Sequence, residues 1–175
     1  MMSLTEEACY LKHMLVEAYA SVPVGADVGG TWSDQGMTAF ISHTSIDCRD
    51  AYSLSQWWKQ VLGYVDDPED PNETGDEECW IQQPDGGHPL LFIEVPESKE
   101  VKNRIHLDLC PSVERRDQEL VVLLEMGARE VADRRRPDGG GWVVLADPEG
   151  NEFCILRGPA DRDADLAANQ TASAP

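Results

Sequence analysis

Four side chains able to move a proton or hold a metal stand out by type and spacing: His43, His106, Asp108 and Cys154. Asp108 follows His106 by two residues in NRIHLDL, which reads as a strand, so both belong to one strand face. An imidazole beside a carboxylate can serve as a general base, or it can be a self-satisfied polar pair. Asp47 follows His43 by four residues and shares its parity in TSIDC, a candidate for ligand contact. Cys154 lies in NEFCIL, with Glu152 and Leu156 on its own face and Phe153 and Ile155 on the other. Two states are open to that thiol. In apolar surroundings it stays protonated and inert, whereas as a thiolate it favours a softer metal such as zinc.

The elements that must position these groups come in two similar runs. The first opens with TAFISHTSIDC, rich in β-branched residues. Asp50 is placed to cap the helix AYSLSQWWKQVLG, which Gly63 ends. CWIQQ and PLLFIEV follow as strands around the turn PDGGHP. The second run opens with NRIHLDL. A helix follows over VERRDQELVVLLEM, with Ser112 as N-cap and Gly127 as stop. REVADRR, WVVLA and NEFCIL then read as strands, with turns at RPDGGG and DPEG. Twenty residues separate His43 from Gly63 and twenty-one separate His106 from Gly127, which marks an internal repeat. The expected fold is α+β: two tandem β-α-β-β-β modules forming a curved mixed sheet with a concave, ligand-holding face. Trp57, Trp58 and Val61 fall at core spacing on the first helix. Trp80 and Trp142 lie in strands, where each either floors a ligand pocket or fills the core.

Outside the modules, Ser3 and Glu6 form a capping box ahead of an apolar stripe over residues 3–22. The resulting division is a helix and linker over 1–36, a domain over 37–158 (modules 37–97 and 102–158) and a frayed polar tail over 159–175. The N-terminal stripe needs a surface to cover, so a homodimer is expected.

Composition removes several classes of function. With 33 acidic and 14 basic residues the net charge is −19, which repels a phosphate backbone and argues against nucleic acid. The runs Arg115-Arg116 and Arg134-Arg135-Arg136 read as solvated faces. No apolar stretch is long enough to span a membrane, and the N-terminus lacks the pattern of a secretory signal. Five cysteines with no CxxC pair signal neither a disulfide framework nor a zinc ribbon, and a cytoplasmic location fits best. Cys48, Cys79 and Cys110 read as small packing residues.

ISHTSIDCRDAYSLSQWWKQVLGY, NRIHLDL, LLEMGA and WVVLADPEGNEFCIL together resemble the glyoxalase/bleomycin resistance/dioxygenase family, or vicinal oxygen chelate superfamily, in its glyoxalase-like branch. The resemblance covers roughly residues 38–157. It implies one metal ligand from the first strand and one from the last strand of each module. His43 matches the first ligand and His106 the third. Glu94 is the carboxylate near the second, although aligning the two halves puts Phe92 there. Cys154 occupies the fourth position, where the family has Glu.

Three functions follow as expectations for a small organic molecule bound in the concave face. One is a lyase, isomerase or dioxygenase whose divalent metal (Zn, Mn, Fe or Ni) sits on His43, Glu94 and His106. Another is a metal-free enzyme using His106 with Asp108, or Cys154, for proton transfer. The third is a binder that sequesters a drug or metabolite, with Asp47, Trp80, Phe92, Trp142 and Glu152 as candidate lining residues.

Overall fold

A computed structural model of the protein describes residues 40–172. The expected helix over residues 3–22, and with it the basis for expecting a homodimer, lies outside them. Eight strands and three helices follow in the order β1 (Thr44–Cys48), α1 (Ala51–Leu62), β2 (Val65–Asp66), β3 (Glu78–Gln82), β4 (Leu90–Glu94), β5 (Leu107–Leu109), α2 (Arg116–Glu125), β6 (Arg129–Asp133), β7 (Val143–Ala146), β8 (Glu152–Ile155) and α3 (Pro159–Ala172). The strands form two four-stranded sheets of identical topology, β1-β4-β3-β2 and β5-β8-β7-β6. In each, the first strand runs parallel to the last and the remaining pairs are antiparallel. The fold is the α+β tandem repeat that the sequence predicts.

Strand alternation separates two faces in each sheet. Cys79, Ile81, Leu90 and Phe92 of the first sheet and Val143, Leu145, Phe153 and Ile155 of the second enter one shared core with the α1 residues Leu54, Trp57 and Trp58. Trp57 and Trp58 meet edge to face, and both pack against Phe153 of the other module. The buried Asp147 of the DPEG turn closes this junction. Its carboxylate accepts from the Trp58 Nε1 at 3.2 Å, the Glu149 and Asn151 amides at 3.0 and 2.9 Å, and the Asn151 side chain at 3.1 Å. Glu149 in turn accepts from the Arg49 and Asp50 amides, fixing the end of β1 against the second module.

The two module helices are capped differently. Asp50 accepts from the Ser53 amide at 2.8 Å, and Gly63 ends α1 in the left-handed region at φ 65°. The second helix starts at Arg116, not after Ser112. Its N-cap is Arg115, whose amide donates to the Gln118 side chain; residues 112–114 form a bend. The tail is also more ordered than its composition suggests. Residues 159–172 form α3, because Asp161 accepts from the Gly158 and Arg116 amides at 3.0 Å each and Arg157 pairs with Asp165 at 2.5 Å. Among the described residues no helix is long and apolar enough to cross a membrane.

Candidate functional site

His106 stands one residue before β5, and His43 one residue before β1, so the repeat places both histidines equivalently. What stands beside them differs. In the second module, Asp108 lies opposite Cys154 and Cys154 opposite Val144. Cross-strand partners share a face, so imidazole, carboxylate and thiol converge on the side away from the core. The His106 Nε2 lies 3.2 Å from Asp108 Oδ1. One ligand atom from each of His106, Asp108 and Cys154 falls within 4.8 Å of the others.

This trio lines a cavity of about 360 Å³. Its apolar wall is Trp142, Val144 and Leu156; Lys102, Arg134 and Glu152 supply charge at its edge. Lys102 is ion-paired to Glu152, and the Glu152 amide donates to Asn103. His106 and Asp108 are exposed, whereas Cys154 is 3% exposed. Burial, and then the Asp108 carboxylate that accepts from the thiol, push Cys154 up to about 11. At neutral pH the group is therefore a thiol and a weak donor, not a resting nucleophile. Burial raises Cys48 further, to about 12.

The other candidates are distributed elsewhere. His43 packs edge to face on Trp80, with ring centroids 5.3 Å apart. Trp80 lies opposite Leu91, and Leu91 opposite Ser45, so that row carries no carboxylate or thiol. By register Leu91, not Phe92 or Glu94, occupies the place equivalent to Cys154. Phe92 is fully buried in the shared core, which corrects its assignment as a ligand contact. Glu94 lies opposite Cys48 with the parity of Phe92, away from the face of His43, so the structure does not gather His43, Glu94 and His106. A larger cavity of about 550 Å³ separates β1 from β5 and β8; Asp47, His106 and Glu152 line it, and neither cavity includes His43. Cys48 and Cys79 are buried as expected, but Cys110 is exposed.

Sequence reading missed Lys102, Arg134 and Val144. Arg134 had a local signal. Its amide donates to the Trp142 carbonyl at 2.9 Å across the β6–β7 turn, so the two pair over RPDGGG, and strand alternation then assigns both to the face of Val144.

A glyoxalase-like domain model matches residues 43–156, which covers both modules and the whole trio. The chain belongs to this family. Solved structures agree with the fold. A possible glyoxalase from Bacillus cereus is 15% identical, with a TM-score of 0.51 over 69% of this chain and 99% of its own. The fosfomycin resistance protein FosX from Listeria monocytogenes, solved with Mn(II) and 1S,2S-dihydroxypropylphosphonic acid, is 15% identical, with a TM-score of 0.54 over 73% of this chain and 96% of its own. A glyoxalase/bleomycin resistance protein/dioxygenase family enzyme from Burkholderia phytofirmans is 20% identical, with a TM-score of 0.52 over 67% and 97%. At such identities the likeness concerns the fold. No curated protein matches the chain by sequence.

The donor set also fits a metal. One imidazole nitrogen, one carboxylate oxygen and one sulfur within 4.8 Å need only a small contraction to share an ion, leaving open positions for water or ligand. The thiol would have to release its proton on binding.

Proposed function

We propose that this glyoxalase-like protein binds a small organic molecule in the second-module cavity and transfers a proton there, with His106 as the base and Asp108 orienting it. The observation that carries this reading is the 3.2 Å approach of His106 Nε2 to Asp108 Oδ1 at an open, apolar-walled cavity. A carboxylate on one ring nitrogen fixes the tautomer and leaves the other nitrogen to accept a proton from a bound C–H or O–H. Cys154, held as a thiol, stands opposite Asp108 on the neighbouring strand. Proton abstraction beside a carbonyl, as in isomerase or lyase chemistry, matches these parts.

The test is deuterium exchange, followed by proton NMR, from C–H groups beside the carbonyl in a panel of aldehydes and 2-oxo acids in D2O. The full chain should accelerate exchange for at least one member. Asp108→Asn should lower that rate by about 10²-fold, the usual scale of general-base catalysis. Exchange at the protein-free rate across the panel removes the proton-transfer reading.

A second reading is favoured by the convergence of three ligand atoms. His106, Asp108 and Cys154 would hold a divalent ion, with zinc best suited to the sulfur, and the ion would supply Lewis-acid polarisation of a carbonyl oxygen. Calorimetric titration of the full chain with zinc, manganese and nickel decides it. Stoichiometric zinc binding, lost in Cys154→Ser, selects this reading; weak binding that Cys154→Ser leaves unchanged rejects it.

A further inference from the structure

We infer that the ligand of the second-module cavity is a monoanion, a carboxylate carried on an apolar or aromatic body, and that Arg134 is the group that binds it. The inference rests on the reading of this cavity as the ligand site.

The starting point is the basic run Arg134-Arg135-Arg136, whose three guanidinium groups have different surroundings. Arg135 is held by Asp133 at 2.6 Å and by Asp117 at 3.3 Å. Arg136 pairs with Asp138 at 3.3 Å. Arg134 pairs with no acid among the described residues; instead it lines the cavity with Trp142 and Cys154. The second cation there, Lys102, is already committed to Glu152. Among the described residues, Arg134 is thus the one cation lining the cavity without an acidic partner, in a chain whose net charge is −19. A field of that sign keeps anions away unless a local cation compensates for it.

The hairpin that carries Arg134 is built to stay in place. Arg116, itself 4% exposed, donates its Nη1 to the carbonyls of Gly139, Gly140 and Gly141 at 3.3, 3.3 and 3.0 Å. Gly141 has φ 84°, and a Cβ there would collide with the Arg134 carbonyl. The close Arg134–Trp142 pairing therefore requires glycine at 141. Arg134 and Trp142, the latter 43% exposed, line the cavity from a clamped turn, which limits the ordering cost of binding.

The rest of the lining defines the ligand. A guanidinium takes a planar carboxylate by two parallel hydrogen bonds. Trp142, Val144 and Leu156 offer an apolar surface beside it, suited to a flat hydrocarbon body. Asp108 and Glu152 line the same cavity, so a doubly charged phosphate would face two acids with, among the described residues, one cation not already paired. A single negative charge is the better match.

Calorimetric titration of the full chain with 2-naphthoate, 2-naphthamide and 2-naphthyl phosphate tests this, since the three share one body and differ in charge. Naphthoate should bind at least tenfold more tightly than the amide and more tightly than the phosphate. Arg134→Gln should reduce the preference over the amide to less than threefold, whereas Arg135→Gln, which removes an already paired cation, should preserve it. Equal binding of acid and amide, no binding of naphthoate, tighter binding of the phosphate, or a preference that survives Arg134→Gln each overturns the inference. These outcomes are separable from the proton-transfer reading. A failed charge preference leaves His106-dependent exchange as it was measured, and absent exchange leaves an Arg134-dependent preference standing.

Discussion

The two modules share a topology, a helix-ending glycine and a histidine one residue before the first strand, yet among the described residues a cluster of imidazole, carboxylate and thiol forms in the second alone. The difference lies in one cross-strand row. In the second module it reads Asp108, Cys154, Val144; in the first it reads Ser45, Leu91, Trp80. His106 therefore meets a carboxylate and His43 meets an indole ring. A repeat preserves backbone placement, but chemistry depends on which side chains the register brings opposite one another. The modules also divide labour in packing, since α1 of the first supplies the two tryptophans that bury Phe153 of the second.

The largest expected effect breaks that division. Trp58→Ala removes a buried indole and its bond to Asp147, and should destabilise the protein by about 4 kcal/mol. Leu123→Ala, at the buried face of α2, should cost about 3 kcal/mol. Urea denaturation checks both; a Trp58→Ala loss smaller than that of Leu123→Ala would remove α1 as the bridge between modules.

Next comes the contrast between the histidines. His106→Ala should lower proton exchange by about 10²-fold or more, whereas His43→Ala should change it by less than about threefold. Equal losses in the NMR assay would show both modules to serve one site.

The buried thiol gives a pH dependence. Its ordinary value is 9.0 and the folded value is about 11, so between these the native state binds more protons than the unfolded chain. The resulting stabilisation is complete below pH 9 and is lost as pH rises toward 11, about 2–3 kcal/mol in all. The absorbance of the thiolate, taken as the difference between the protein and Cys154→Ser, should titrate near the higher value. Asp108→Asn removes the negative charge beside the thiol and should shift that titration downward. An unshifted curve would mean that Asp108 does not hold the thiol.

The smallest effect concerns the caps. Asp50→Ala should cost about 1 kcal/mol, because it removes the acceptor for the Ser53 amide. Arg115→Asp should give α2 the acceptor that α1 already has and stabilise by up to about 1 kcal/mol. Thermal unfolding of the two variants in opposite directions supports the contrast; shifts of the same sign would refute it.

Much of the site was legible where it depended on one strand at a time. The period of two already placed Asp108 with His106, and Cys154 with Glu152 and Leu156, because successive side chains alternate whatever the neighbours are. The Asp50 cap, the Gly63 and Gly127 stops and the packing of Trp58 were equally local. Phe92 and Glu94 went astray because aligning the two halves from the sequence left the partner of His43 uncertain by a residue or more, and a one-residue slip reverses the face. The start of α2 and the helical tail depended on contacts from Gln118 and Asp161 that composition does not reveal. The sequence by itself determined the repeat, the fold class, the acidic field and the parity of each candidate, since these follow from local pattern and charge. The tertiary structure alone decided that Asp108 meets Cys154, that His43 meets Trp80, and that Arg134 lines the cavity while Arg135 and Arg136 pair with acids. Each of those outcomes requires strands distant in sequence to come into register, and register is set by packing of the whole sheet.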